Sequence, residues 1–186
     1  MINMNAQILR LGDTRLRRIC TPVTDLADPQ FLQESRDLKA ALEEFRQRHG
    51  FGRGIAAPQL GIPKRFIALN LGAETFTMIN PEITWRSAET FTMWDDCMCF
   101  PELLVKLRRH DSISVQFIDE QGMTQIWERI ARPIAELLQH EIDHLDGVLA
   151  TDLAADGKDI VPRDIFDANP TQFQSQVDYV ITPPIA

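Results

Sequence analysis

The stretch QHEIDHLDG, residues 139–147, ends a segment whose apolar residues recur at helical spacing. The apolar positions of that segment are Ile134, Leu138, Ile142 and Leu145. Because they are three or four residues apart, they fall on one face of a helix. Gly147 follows as a helix stop, so the pattern predicts a helix over residues 133–146. This helix is expected to pack inward and to carry polar residues in its last turns.

Two histidines of this stretch are placed to bind one metal ion. His140 and His144 are four residues apart, so their imidazoles project from the same helix face about one turn apart. Glu141 lies at the edge of that face, where its carboxylate reaches water beside a metal without ligating the metal. The alternative is a chance HExxH string on a helix surface. The chain has only four histidines, however, and two of them form this pair.

A third protein ligand is needed to complete a zinc-type site. Neither histidine nor glutamate follows His144, which argues against a protease with a downstream ligand. The segment MWDDCMCFPE, residues 93–102, offers Cys97 and Cys99, and a thiolate is a strong ligand for Zn²⁺ or Fe²⁺. We choose Cys97, although buried cysteines are often only small apolar residues. A further segment, GRGIAAPQ at residues 52–59, has small residues that allow close backbone approach, but it is not a phosphate loop.

Together the three segments resemble the motifs of the peptide deformylase family, GxGxAAxQ, EGCLS and HExDH, in that order. The match spans residues 52–147. The resemblance implies a compact α+β domain with small antiparallel or mixed sheets around a central metal-binding helix. It implies that Cys97, His140 and His144 bind one Fe²⁺ or Zn²⁺ ion and that Glu141 is the general base. Gln59 and the Met98 backbone N–H would form an oxyanion hole.

The implied reaction is hydrolysis of the formyl amide of an N-formylmethionyl peptide, with release of formate during protein biosynthesis. The substrate-binding residues implied by the resemblance are Gly52, Arg53, Gly54, Ile55, Asp96, Glu136 and Leu137. Two other readings stay open at this point. One is a divergent amidase that acts on another N-formyl or N-acyl substrate, and the other is an inactive metal-binding relative.

The chain departs from the family pattern in the second motif, where Asp95-Asp96-Cys97-Met98-Cys99 replaces EGCLS. Asp96 stands where the family has glycine, and its carboxylate lies either in the substrate cleft or in solvent. Arg53 replaces an aliphatic residue, and Glu136 lies one helical turn before His140. We expect Arg53 and Glu136 to pair near the pocket and to shift its preference away from methionine, since neither charge is easily buried alone. The alternative is that both side chains turn outward.

The rest of the chain predicts an α+β domain rather than a parallel βαβ sheet. Asp28, Pro29 and Gly50 frame a helix over Pro29–His49. Strands are expected at residues 65–69, 75–79, 112–118 and 123–130, with Asn80-Pro81 ending the second and the last two forming a hairpin. We expect one domain over residues 1–186, with 157–186 a weakly structured tail.

Composition limits the possible partners. The chain has 186 residues and a formal charge of −8, which argues against nucleic-acid or anionic membrane binding. The N-terminus lacks a basic and then apolar signal pattern, so a cytoplasmic protein is expected. Ribosome docking through the tail is not supported, because no lysine or arginine follows Arg163. His49 and His110 are expected to be ordinary helix-end and loop residues, and Cys20 and Cys99 have no assigned role.

Overall fold

The structure, a computed structural model, describes residues 7–181, and within that range it has four α-helices and eight β-strands. The helices are α1 (Pro29–His49), α2 (Arg132–Leu145), α3 (Arg163–Ala168) and α4 (Pro170–Gln174). The strands are β1 (Gly54–Ala56), β2 (Phe66–Leu69), β3 (Phe76–Arg86), β4 (Thr90–Asp95), β5 (Leu103–His110), β6 (Ile113–Ile118), β7 (Thr124–Ile130) and β8 (Ile160–Pro162). The predictions that concern the N-terminal residues 1–6 and the last residues 182–186 lie outside the described residues.

The strands form two antiparallel sheets. The larger sheet has the order β1-β2-β3-β6-β7, and the smaller has the order β4-β5-β8. Helix α2 contacts strand β1 of the first sheet and strand β5 of the second. The predicted α+β class with a central helix is therefore confirmed. The predicted hairpin is also present as β6 and β7.

The larger sheet is covered by a helix on each face, and the side chains of strand β2 pack against both helices. Its side chains alternate across the sheet, so Phe66 and Ala68 pack with α1 while Ile67 and Leu69 pack with α2. All four side chains are fully buried. At about 1.5–3 kcal/mol for each large apolar side chain removed from water, this double burial is a main source of stability. The polar residues of α2 are consequently held deep in the protein.

The helix boundaries follow from local chemistry. Asp28 Oδ1 accepts a hydrogen bond from the Gln30 N–H at 3.0 Å, and Gly50 ends α1 in the left-handed conformation with φ of 75°. The predicted bounds of α1 are therefore confirmed. Helix α2 begins at Arg132 and ends at Leu145, within one residue of the prediction at each end. Gly147 follows with φ of 74°, and a Cβ there would lie 2.6 Å from the Arg17 carbonyl oxygen, so only glycine fits.

The prediction that Asn80-Pro81 ends a strand is wrong. Strand β3 continues to Arg86 because the pairing with β6 shifts register between Ile79 and Glu82, which absorbs the irregular backbone. Asn80 has a positive φ of 50°. Its side chain accepts from the Val23 N–H and donates to the Val23 carbonyl, both at 2.8 Å. These two bonds stabilise the bulge.

The segment expected to be a weakly structured tail holds β8, α3 and α4 within residues 157–181. Phe173 of α4 packs edge-on against Trp94 of β4 with ring centroids 5.5 Å apart, and the Trp94 indole N–H donates to the Phe173 carbonyl. Asp178 then accepts hydrogen bonds from the Thr92 N–H and hydroxyl. The segment is therefore attached along the smaller sheet by aromatic packing and side-chain hydrogen bonds. None of the helices in the described range has the length and apolar character needed to cross a bilayer.

Candidate metal centre

Three side chains from two distant parts of the chain meet beside α2. One ligand atom each from Cys97, His140 and His144 lies within 4.8 Å of the others. Cys97 Sγ is 3.3 Å from His144 Nε2, which is 3.2 Å from His140 Nε2. All three residues are buried. A thiol and two ring nitrogens converging at these distances fit one divalent ion that prefers sulfur and nitrogen ligands.

A carboxylate behind the first histidine sets its orientation. Asp95, the last residue of β4, places Oδ2 at 2.9 Å from His140 Nδ1 and at 2.9 Å from Arg109 Nη2. Arg109 also donates to Asp143. A proton on Nδ1 that is directed at Asp95 leaves Nε2 as a free ligand, which is the usual arrangement around metal-bound histidines. The Asp95–Arg109 ion pair is buried, and the same carboxylate also engages His140.

Burial and neighbouring charges shift the pKa values of these groups in opposite directions. Burial alone would raise the pKa of Asp95, but the charges on His140 and Arg109 outweigh it and hold that pKa well below its usual range. Burial would lower the pKa of His140, whereas the Asp95 carboxylate raises it to about 9. Burial raises the pKa of the Cys97 thiol. A cation beside this thiol would oppose that effect by favouring the thiolate.

Glu141 lies beside the three ligand residues without being one of them. Burial raises its pKa to about 7, and the positive charge of His140 offsets part of that rise. Among the described residues its Oε2 atom has no hydrogen-bond partner, although the atom is buried. A Cβ on Gly54 would lie 2.8 Å from Glu141 Oε1, so the second glycine of the GRG segment leaves room for this carboxylate. The buried oxygen is available to a proton of bound water or substrate.

Gln59 and Met98 complete the inner surface. Gln59 lies in a short 3-10 turn, Ala57–Leu60, where its Oε1 accepts from the Ala56 N–H at 2.7 Å. Its amide nitrogen lies 3.7 Å from Cys97 Sγ and 3.4 Å from Cys99 Sγ. The Met98 side chain packs under Gly52, whose φ is 117° and where a Cβ would lie 2.8 Å from the Met98 methyl carbon. Both glycines of the first segment thus face predicted catalytic residues.

One cavity of about 450 Å³ is lined by Gln59, Cys97, Met98, His140 and Glu141. The cavity wall is formed by residues 52–54, by residues 94–98 and by the face of α2 that carries Glu136, Leu137, His140 and Glu141. Side chains from the C-terminal segment complete it. Of the predicted substrate-binding residues it contains Gly52, Arg53, Gly54, Asp96, Glu136 and Leu137. Ile55 is instead buried in the core between the larger sheet and α1. The structure therefore brings the predicted ligand, catalytic and pocket residues to this cavity, except Ile55 and His144. His144 lies behind the cavity wall, within 4.8 Å of the ligand atoms of Cys97 and His140.

Comparison with known proteins gives the same assignment. The family model for polypeptide deformylase matches residues 5–159. The peptide deformylase of Thermotoga sp. strain RQ2 is 34% identical over 154 residues, which cover 82% of this chain and 88% of the relative. The chain belongs to the polypeptide deformylase family. It is thus a metal-dependent amide hydrolase by family, as the sequence predicted.

Solved deformylases share this fold. The crystal structure of the Thermotoga maritima peptide deformylase superposes with a TM-score of 0.71 at 33% identity, covering 81% of this chain and 97% of that one. A Met-Ala-Ser-bound structure of the Acinetobacter baumannii enzyme, class I type b, gives 0.67 at 27% identity, covering 79% and 96%. The deformylase architecture expected from the three motifs is therefore confirmed.

The cavity contains a charged pair. Arg53 forms an ion pair with Glu136 and donates from Nη1 to the Pro133 carbonyl at 2.7 Å. The Glu136 side chain is 2% exposed and that of Arg53 is 18% exposed. The two side chains pair inside the cavity, as we expected, and do not turn outward. Burial raises the pKa of Glu136 to about 7, and the Arg53 guanidinium offsets part of this rise.

Asp96 has a partner that sequence reasoning missed. Its Oδ2 accepts from Arg163 Nη2 at 2.8 Å, and Arg163 Nε donates to the Pro101 carbonyl. The same guanidinium lies over the Phe51 ring, with its carbon 5.4 Å from the ring centroid. Asp96 thus points toward the cavity rim rather than freely into solvent. Arg163 follows a segment without clear periodicity. The sequence signal for it is therefore only that it is the last lysine or arginine of the chain.

Proposed function

We propose that this protein removes the formyl group from N-formyl peptides, N-formylmethionyl peptides among them, and releases formate and a free amino terminus. The observation that carries the proposal is the convergence of Cys97, His140 and His144 at the wall of the cavity that Glu141 lines, in a chain of the deformylase family. The Met-Ala-Ser bound to the Acinetobacter baumannii relative has the chemistry of a deformylated product, which supports the same substrate class here.

The residues of the centre fit one Fe²⁺ or Zn²⁺ ion. Cys97, His140 and His144 would hold it, since a thiol and two imidazoles match the ligand preference of both metals. When bound, such an ion supplies a Lewis acid that polarises a carbonyl group and acidifies water. The buried and unpartnered Glu141 oxygen next to this donor set supports the same assignment.

Glu141 is proposed as the residue that moves protons. Its carboxylate lies in the cavity beside the ligand set, and Gly54 leaves the space that it occupies. It accepts a proton from the attacking water and then gives that proton to the departing amine, as general acid–base catalysis requires. Leaving-group protonation makes the cleavage yield formic acid and an amine rather than an amide anion.

Gln59 and the Met98 N–H are proposed to stabilise the charge that develops on the formyl oxygen. The bond between Gln59 Oε1 and the Ala56 N–H fixes the amide, so its NH₂ group is directed to the side of Cys97. A donor that is fixed before the reaction needs no reorganisation in the transition state. Asp95 contributes indirectly by holding the His140 ring.

A second candidate function is favoured by one observation. The buried Arg53–Glu136 pair in the cavity is unlike a plain apolar pocket, and this favours a divergent amidase for another N-formyl or N-acyl compound. We propose this as the alternative. A cytoplasmic location, the choice between Fe²⁺ and Zn²⁺, and the expectations about nucleic acid, membranes and the ribosome remain predictions.

Formate release tests the proposal. Protein loaded with Fe²⁺ or Zn²⁺ without oxygen is incubated with formyl-Met-Ala-Ser, and formate is measured. We expect turnover that Glu141→Ala reduces by at least about 10²-fold while the bound metal is retained. Glu120→Ala, on an exposed turn, is the matched control. Formate release that is unaffected by Glu141→Ala would contradict the proposed role, and the absence of formate release from every formyl peptide tested would contradict the function.

A further inference from the structure

The charged pair lies in the cavity that also contains the reactive residues. Arg53 and Glu136 share this cavity with Cys97, His140 and Glu141. Glu136 lies on α2 one turn before His140, and Arg53 lies between Gly52 and the glycine that contacts Glu141. A peptide whose formyl group reaches the metal ligands brings its first residue into the cavity that contains this pair.

The pair is fixed in position from both sides. The Arg53 backbone carbonyl accepts from the Asn70 N–H at 2.8 Å, and its guanidinium bridges Glu136 and the Pro133 carbonyl at the start of α2. Glu136 is held by a helix whose Leu137, Leu138, Ile142 and Leu145 side chains are buried in the core. Withdrawal of either charge toward solvent would break these contacts and leave the other charge buried without a partner. The charged surface is thus a permanent part of the pocket.

The pair has hydrogen-bonding capacity that the protein does not use. Among the described residues, Arg53 is the one donor to the Glu136 carboxylate, which has about four acceptor sites. Arg53 uses two of its nitrogens in the bonds to Glu136 and Pro133. A methionine thioether in this pocket has no N–H or O–H to give and is only a weak acceptor. It would exclude water from both groups without forming hydrogen bonds to either of them.

A primary amide matches the unused groups of both residues. Its NH₂ group donates to a carboxylate, and its carbonyl oxygen accepts from a guanidinium. Glutamine carries such an amide on a side chain about as long as that of methionine. A carboxylate side chain would meet the Glu136 charge, and an ammonium side chain would meet the Arg53 charge. Either one would compete with the existing ion pair.

We propose that this pocket selects N-formyl peptides whose first side chain ends in a neutral amide, glutamine above all, over N-formylmethionyl peptides. The inference rests on the proposed deformylase function and names the substrate class of the same site. Methionyl peptides remain substrates, but poorer ones. Arg53 and Glu136 act as specificity-determining residues and not in the proton transfers.

The test compares kcat/KM for formyl-Gln-Ala-Ser, formyl-Met-Ala-Ser, formyl-Glu-Ala-Ser and formyl-Lys-Ala-Ser with the metal-loaded protein. We expect the glutaminyl peptide to exceed the methionyl peptide at least about ten-fold, the effect of one buried polar group left unpaired. The double variant Arg53→Ile with Glu136→Ile should reverse the order. Glu44→Ala with Arg48→Ala, which removes an exposed ion pair on α1, should leave the order unchanged.

Product binding provides a second readout that does not depend on turnover. Calorimetry should show tighter binding of Gln-Ala-Ser than of Met-Ala-Ser to the wild-type protein, and this comparison holds even where the double variant fails to fold. An equal or greater preference for methionine, or a preference for a charged side chain, would overturn this inference alone. Formate release from none of the peptides would overturn the proposed function together with it.

Discussion

The side-chain amide of Gln59 is fixed by its oxygen, which accepts a hydrogen bond from the Ala56 N–H. Its nitrogen is directed at Cys97 Sγ. Replacement by alanine removes this donor but leaves all three proposed ligands. We expect Gln59→Ala to lower kcat by about 10²–10³-fold, the usual loss for one oxyanion donor, with metal content unchanged. Formate assays and metal analysis on the same samples check this, and Gln33→Ala on α1 is the control. Loss of metal along with activity would instead make Gln59 a support of the ligand geometry.

Glu136 makes stability depend on pH. Its pKa is about 7 in the folded protein against an ordinary 4.5, so the folded state holds the proton more tightly than the unfolded state does. The stabilisation by this group is complete below pH 4.5 and is lost as the pH rises to about 7. From the size of the shift, the loss is at most about 3 kcal/mol.

Urea unfolding of the metal-free protein at pH 5 and pH 7.5 measures this effect as a difference between variants. Because other groups titrate over the same range, wild type is compared with Glu136→Gln, which should lose less stability between the two pH values. Glu44→Gln, on the exposed face of α1, should behave as wild type. An equal change in wild type and Glu136→Gln would show that burial does not shift the Glu136 pKa.

The sequence alone identified the partners of some residues but not of others. Arg53 and Glu136 could be paired in advance, because their opposite charges fall in two segments that the three motifs already place together. Arg163 could not be paired with Asp96, which is 67 positions away in the chain. No motif connects those two segments, and the contact depends on the path of the chain after β5. Charge alone does not choose among the chain's 19 lysines and arginines.

At the scale of elements, β4, β5 and α2 are joined by buried charges. Arg109 of β5 bonds to Asp95 of β4 and to Asp143 of α2, and its side chain is 3% exposed. We expect Arg109→Leu to lower the free energy of unfolding by about 3–5 kcal/mol, because the Asp95 carboxylate loses a buried partner. Chemical denaturation checks this. Arg108→Leu, at the exposed neighbouring position of the same strand, should change stability little.

The same charges explain why some elements were harder to predict than others. Helix α1 was located to the residue because Asp28, Pro29 and Gly50 mark both ends locally. Strand β5 was not predicted, since Lys106, Arg108 and Arg109 interrupt its apolar pattern. Arg109 is buried despite its charge, and only its distant partners make that burial favourable. Periodicity does not contain this information.

At the scale of the whole molecule, Asp178 attaches the end of the C-terminal segment to strand β4 at the edge of the smaller sheet. This carboxylate accepts from the Thr92 N–H at 2.9 Å and from the Thr92 hydroxyl at 2.7 Å. We expect Asp178→Ala to speed amide hydrogen exchange in residues 175–181 several-fold, while β5 exchanges as in wild type. Gln172→Ala, exposed on α4, is the control. Unchanged exchange would show that other contacts hold the segment.

The overall architecture was predictable in class but not in detail. The helix and strand patterns indicated an α+β domain, and the motifs indicated which three segments meet. The segment after Asp156 was expected to have little structure, yet α3 and α4 form there because Phe166 and Phe173 stack on each other and pack edge-on against Trp94. Such short helices depend on tertiary contacts rather than on their own sequence.

X-ray absorption on the iron- or zinc-loaded protein tests the central claim most directly. The structure predicts a first shell with one sulfur and two imidazole nitrogens. Cys97→Ser should remove the sulfur scattering, whereas Cys99→Ser should keep it, although both thiols lie near Gln59. A shell without sulfur in the wild type, or one that loses sulfur only in Cys99→Ser, would contradict the proposed centre.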